Sequence, residues 1–122
     1  WRFERYRRRP DWIQQTIFPG SLLPSLEAIA KAVAGTRLQI NGVEEIGFGY
    51  ARTLREWREN VWRNVDRIRG LGYDERFLRI WVFYLSYCEA GFAIRSLRDM
   101  QIVLSHSAND SLPEFPSLRP GY

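Results

Sequence analysis

The 122 residues hold one cysteine, one histidine, one methionine and one lysine. A lone Cys88 excludes an internal disulfide and a multi-cysteine zinc site. A lone His106 excludes most catalytic triads and multi-histidine centres, so no metal is expected. No apolar run approaches the ~20 residues of a membrane span. The first nine residues are mainly arginine and aromatic, which is not the pattern of a signal peptide. There is no Walker phosphate loop and no internal repeat. A single cysteine is compatible with a reducing compartment. The chain starts at Trp1 rather than methionine, which reads as a piece of a longer protein.

What is present is globular. Hydrophobic residues make up 45% and charged residues 26%, the balance of one folded domain. Seventeen of the 18 basic residues are arginine. The formal net charge is +4, and all of it falls in Trp1 to Arg9, where five arginines face the single Glu4. Arginine binds phosphates in bidentate fashion and stacks on aromatic rings. The arm therefore suits an anionic partner, unless it is only a solvated helix start. Nucleic acid is not expected, because no recognition-helix pattern or RNA-binding sheet motif accompanies the arm.

The pattern predicts a helical start interrupted by Pro10, with Asp11 capping a short turn. Residues 18–24 hold two prolines and a glycine and must be a loop. Ser25 caps a helix whose Leu26, Ile29, Ala30 and Val33 share a face, and Gly35 closes it. Residues 37–46 read as a strand with a bend or bulge at Asn41-Gly42. From Tyr50 to about Arg69, Tyr50, Leu54, Trp57, Val61, Val65 and Ile68 form one apolar stripe and predict a single long helix. A second long helix runs from Asp74 to about Ile94, with Phe77, Trp81, Tyr84, Cys88 and Phe92 on one side. Residues 98–105 alternate as a strand. From Ser107 onward, proline, serine and asparagine read as a mobile tail, which divides the chain into a domain over 1–106 and a tail over 107–122. Two strands cannot make a stable sheet alone, so further strands are expected before Trp1.

Little here reads as catalytic by itself. Gly47-Phe48-Gly49 lacks the third glycine of a dinucleotide loop. Glu44 and Glu45 point to opposite faces of their strand and form no acid/base pair. Cys88 lies on the apolar face, with nothing nearby in sequence to activate its thiol. Tyr50 would sit just after a strand end, where ligands gather in open α/β sheets, and its phenol can donate or accept a hydrogen bond. Its spacing is equally that of a packing residue at the head of the stripe.

Several stretches together resemble the C-terminal half of cyclopropane-fatty-acyl-phospholipid synthases and mycolic acid cyclopropane synthases. They are Asp11-Trp-Ile-Gln-Gln-Thr-Ile-Phe-Pro-Gly20, Leu23-Pro-Ser25, Tyr50-Ala-Arg-Thr-Leu54 with Trp57, Leu71-Gly-Tyr-Asp-Glu-Arg-Phe77, and Tyr84-Leu-Ser-Tyr-Cys-Glu-Ala-Gly-Phe92. They follow the family's order over about residues 3 to 105. The resemblance implies an α/β fold: the C-terminal portion of a class I (Rossmann-like) methyltransferase sheet, with residues 37–46 as its sixth strand and 98–105 as its seventh. The two long helices would be the insertion between them. Two departures stand out. Gly49 occupies a position where members often have histidine, and Ser21 replaces the second glycine of Phe-Pro-Gly-Gly.

The resemblance also implies an activity. Members use S-adenosylmethionine to add a methylene carbon to a cis double bond of a phospholipid acyl chain, and a bound bicarbonate takes the released proton. The tyrosine that hydrogen-bonds the bicarbonate corresponds to Tyr50, the catalytic residue implied. Phe18, Pro19, Leu54, Tyr84, Cys88 and Phe92 correspond to acyl-tunnel positions. The cofactor loop and the other bicarbonate ligands belong upstream, so the isolated chain is expected to be inactive and to hold no cofactor. The implied partners are phospholipid acyl chains, an anionic membrane surface and the missing N-terminal methyltransferase half, with a homodimer left open. The implied location is cytoplasmic and peripheral to the membrane. Relatives that give methyl-branched or N-methylated products, and a non-catalytic module completing a separate cofactor half, are the alternatives.

Overall fold

A computed structural model describes residues 2–109. The expected tail lies outside the described residues from position 110 onward; residues 107 and 108 form a turn.

The chain begins with two short helices, α1 (Arg2–Arg8) and α2 (Trp12–Thr16), separated at Pro10. Asp11 caps α2 in a reciprocal box: its carboxylate accepts from Gln14 N at 2.9 Å, and Gln14 Oε1 accepts from Asp11 N at 2.9 Å. This satisfies donors that a helix start leaves open. Gln14 is buried, and its Nε2 donates to Ser21 O at 2.7 Å. One amide thus ties the loop over 17–24 to α2. Ser25 then caps α3 (Leu26–Ala34) by accepting from Ala28 N, and Gly35 ends it.

The strands β1 (Leu38–Glu45) and β2 (Met100–His106) lie far apart in sequence and pair with each other, antiparallel, from Leu38↔His106 to Glu45↔Met100. The register shifts between Ile40 and Gly42, which makes Asn41 the bulge. Asn41 Nδ2 donates to Ser105 Oγ across the pair, so the amide holds the register where the ladder is interrupted. Among the described residues the sheet has these two strands only.

Between the strands come a 3-10 turn (Gly47–Gly49) and the helices α4 (Tyr50–Arg63), α5 (Val65–Gly70) and α6 (Glu75–Ala93). The single helix expected over 50–69 is divided at Asn64. Asn64 sits at φ −110°, ψ 18°, outside helical geometry, and its Nδ2 donates to Asn60 O at 2.8 Å. A short amide that reaches its own main chain competes with the helical ladder. Asp74 caps α6 through Phe77 N at 2.8 Å. Contacts between Tyr50 and Phe92 and between Arg58 and Ser86 show that α4 and α6 run antiparallel. Leu54, Leu85 and Cys88 form the buried cluster between them. Burying a leucine contributes about 1.5–3 kcal/mol.

Candidate functional site

The α4–α6 interface brings most of the sequence-derived candidates together. Tyr50 opens α4, and its ring lies 4.8 Å from that of Phe92 and 5.9 Å from that of Trp57, edge-on in both cases. Leu54, one turn on, is 1% exposed, and Cys88 is 7% exposed. Tyr84 packs against the same cluster and meets Phe18 edge-on at 5.8 Å. Tyr50, Leu54, Tyr84, Cys88, Phe92 and Phe18 are therefore one connected group. Pro19 is exposed in the turn beside Phe18 and is held there by chain continuity. Leu54 and Cys88 form the floor of the group, while Tyr50, Tyr84 and Phe92 are half-buried along its rim.

An aromatic track reaches this rim along α6. Tyr73 stacks on Phe77 at 4.2 Å, Phe77 meets Trp81 at 5.9 Å, and Trp81 meets Tyr84 at 5.6 Å. An open groove of about 740 Å³ lies elsewhere, between α1, α3 and β2, with Tyr6, Leu26, Ile29 and Met100 in its walls. A smaller hollow of about 190 Å³ lies beside Phe92, Gly47 and Ala51.

The electrostatics keep the buried groups neutral. Burial pushes the Tyr84 phenol up to about 12, with the Cys88 thiol and the Tyr50 phenol adding to the effect. Burial likewise raises the Cys88 thiol, against a hydrogen bond from Tyr84 that favours the thiolate. A raised thiol is a poor nucleophile at neutral pH. Tyr50 differs from both, because its hydroxyl has no hydrogen-bond partner among the described residues. Gly49, before it, contributes no side-chain cap to the first turn of α4.

Gly47 shows what the Gly-x-Gly segment is for. A Cβ built there would stand 3.0 Å from Asp99 N and 3.4 Å from the Phe92 ring. The glycine lets the turn pass close to the chain entering β2, beside Ile46 N donating to Asp99 O at 2.9 Å. It serves internal packing.

Glu89 is the residue that sequence reasoning missed. Its side chain is 12% exposed and faces two arginines of α4. Oε1 accepts from Arg55 Nε at 2.8 Å, and Oε2 lies 2.6 Å from Arg58 Nη1 in an ion contact without hydrogen-bond geometry. Arg58 also donates to Ser86 Oγ at 2.9 Å. The available signal was Glu89 beside the apolar face of one helix, with Arg55 and Arg58 one turn apart on the other.

These residues match a known family. The family model for mycolic acid cyclopropane synthetase covers residues 2–102. The chain belongs to this family. It is 46% identical over 87 residues, 70% of the chain, to the tuberculostearic acid methyltransferase UfaA1 of Mycobacterium tuberculosis. It is 31% identical over 101 residues, 83% of the chain, to the cyclopropane-fatty-acyl-phospholipid synthase of Escherichia coli K12. It is also 35% identical over 81 residues, 66% of the chain, to the S-adenosylmethionine-dependent methyltransferase UmaA of M. tuberculosis. The matched segments span only 20%, 26% and 28% of those relatives' lengths. Membership implies a Rossmann-like fold and S-adenosylmethionine as cofactor, and the small antiparallel α/β arrangement is compatible with that fold. The Gly-x-Gly turn lacks the third glycine of a dinucleotide loop, and its first glycine packs against Asp99 and Phe92.

Proposed function

We propose that this chain is the lipid-facing C-terminal part of an S-adenosylmethionine-dependent lipid methyltransferase, and that the whole protein adds a methylene carbon to a cis double bond of a phospholipid acyl chain. In this reading β1 and β2 are the sixth and seventh strands of the methyltransferase sheet, and α4–α6 are the insertion between them. The observation that carries the reading is the Tyr50 hydroxyl, without a partner among the described residues, at the rim of an aromatic group in a chain of this family.

Each residue then has a task. Tyr50 holds a bicarbonate ion by donating a hydrogen bond from its phenol. The rings of Tyr84, Phe92 and Phe18 border the acyl chain, exclude water and offer π-electron density to developing positive charge. Leu54 and Cys88 support that wall from behind. Cofactor binding is assigned to the N-terminal half of the methyltransferase domain, the first proposed partner. The other proposed partners are acyl chains and an anionic membrane surface that attracts the arginine arm. The proposed location is cytoplasmic and peripheral to the membrane. No helix among the described residues is long and apolar enough to cross a membrane.

The test is to incubate the full-length protein with methyl-labelled S-adenosylmethionine and vesicles of a cis-monounsaturated phospholipid. Label is expected in the acyl chain, and proton NMR of the product is expected to show cyclopropane ring protons. Label absent from lipid would refute the reading. A second reading, a methyl branch instead of a ring, is favoured by the 46% identity to a relative named as a methyltransferase. In that case the label enters the chain and no ring protons appear.

A further inference from the structure

The outer face of α6 has a composition that packing does not use. Arg76, Arg79, Phe83, Tyr87 and Ala90 step by three, four, four and three residues, and all are exposed. Phe83 and Tyr87 are 53% and 51% exposed. Trp12 of α2, 37% exposed, meets Phe83 edge-on at 4.8 Å, and Phe83 lies 6.2 Å from Tyr87. The result is an exposed patch of three large aromatic rings on the outside of the molecule, away from the Tyr50 group.

Its border is basic. Arg79 and Arg76 continue the same helix face one and two turns before Phe83. Neither arginine pairs with an acid among the described residues. By contrast, Arg7 and Arg8 of the arm both reach Glu4, at 3.1 and 3.6 Å. Tryptophan and tyrosine, as at Trp12 and Tyr87, have an apolar body and a polar tip and settle at the water–lipid boundary, and Phe83 adds apolar area between them. Unpaired arginines beside them favour phosphate over zwitterionic or neutral surfaces.

We propose that the Trp12–Phe83–Tyr87 patch, bordered by Arg76 and Arg79, is the face that seats this protein on anionic phospholipid bilayers. This rests on the lipid-modifying function proposed above and adds the surface by which the enzyme reaches its substrate. The rings enter the headgroup boundary, the arginines hold lipid phosphates, and the aromatic track along the neighbouring face of α6 stands ready for the acyl chain.

The experiment measures partition of the full-length protein onto vesicles of phosphatidylglycerol mixed with phosphatidylcholine, and onto phosphatidylcholine alone. Wild type is expected to prefer the anionic vesicles. Arg76→Gln with Arg79→Gln should lower that partition about thirtyfold, the effect of two basic residues near an anionic surface. The loss should shrink as salt rises. Phe83→Ser with Tyr87→Ser should weaken binding to both vesicle types. Arg37→Gln with Arg67→Gln, which removes the same charge from two arginines elsewhere that have no acid partner among the described residues, should change partition less than about threefold. Equal losses from the two arginine pairs would overturn the proposal in favour of net charge alone. A lowered melting temperature with undiminished vesicle binding would also overturn it, because the face would then pack against another part of the protein. Carbon transfer to phospholipid in detergent micelles is the separate readout. It should be unchanged in the α6 variants, and its absence in wild type would sink the function without touching the vesicle result.

Discussion

Replacing Tyr50 by phenylalanine separates catalysis from packing at one atom. The Tyr50 ring meets Phe92 at 4.8 Å and Trp57 at 5.9 Å, contacts that a phenyl ring keeps. The hydroxyl has no partner among the described residues, so its removal leaves no broken bond behind. The melting temperature is therefore expected to stay within about a degree, since surface-like changes move stability by less than ~0.5 kcal/mol. If the phenol holds a bicarbonate ion during turnover, the loss is that of a hydrogen bond to a charged group, about 1.5–3 kcal/mol. This converts to a roughly ten- to hundredfold fall in rate. The assay is carbon transfer from labelled S-adenosylmethionine to phospholipid by the full-length protein, with kcat and lipid KM determined separately. The fall should appear in kcat, with lipid KM little changed, because the hydroxyl is not part of the apolar wall. Added bicarbonate should rescue the variant partially if its site is weakened rather than lost. Unchanged turnover would refute the reasoning and leave Tyr50 as the packing residue that its place in the stripe equally allows.

Other substitutions test the frame around the group. Gly47→Ala puts a methyl group 3.0 Å from Asp99 N and against the Phe92 ring; it should destabilise the protein by about 1–3 kcal/mol in denaturant titration, as overpacking does. Glu89→Ala removes the carboxylate shared by Arg55 and Arg58. Both arginines keep some solvent contact, so the expected loss is about 1–2 kcal/mol, below the 3–5 of a fully buried pair, and a melting temperature equal to wild type would show the clamp to be idle. Gln14→Ala frees Asp11 N–H and Ser21 C=O; a loss of about 1–3 kcal/mol is expected, with faster proteolysis between residues 17 and 24. Tyr84 gives a pH signature. Its folded value of about 12 stands above the ordinary 10.0, so the unfolded chain gives up this proton first. The stabilising contribution is whole below pH 10 and is lost as pH climbs towards about 12. Tyr84→Phe should flatten the stability–pH profile across that window, and an unaltered slope would contradict the assignment.

The local elements were legible because their signals are local. Asp11 and Ser25 cap the helices their side-chain chemistry suits, and Asn41-Gly42 marks the bulge in β1. The division at Asn64 was not legible from the stripe, because Val61, Val65 and Ile68 keep helical spacing across it. Only the side chain's competition for Asn60 O reveals it. The pairing of β1 with β2 spans some sixty residues, and the composition of either strand does not name its partner.

The candidate site divides along the same line. Tyr84, Cys88 and Phe92 share a face by helical spacing alone, as do Tyr50 and Leu54. That the two rows meet, with Tyr50 on Phe92 and Leu54 against Cys88's cluster, depends on the antiparallel packing of α4 on α6. Spacing along one helix cannot fix that packing; the cross-helix partners do. Glu89 clamps Arg55 and Arg58 at the same level as this cluster. Sliding α6 by one turn along α4 would move Glu89 about 5.4 Å from both cations and would also part Phe92 from Tyr50. The ion pairs and the aromatic contact thus select the same register, so the charged residue that carries no chemistry of its own sets the distance at which the tyrosine meets its neighbour. This also explains why the site could not be completed from its motif residues: part of what positions Tyr50 lies on the polar side of the helices, where the apolar stripe gives no signal.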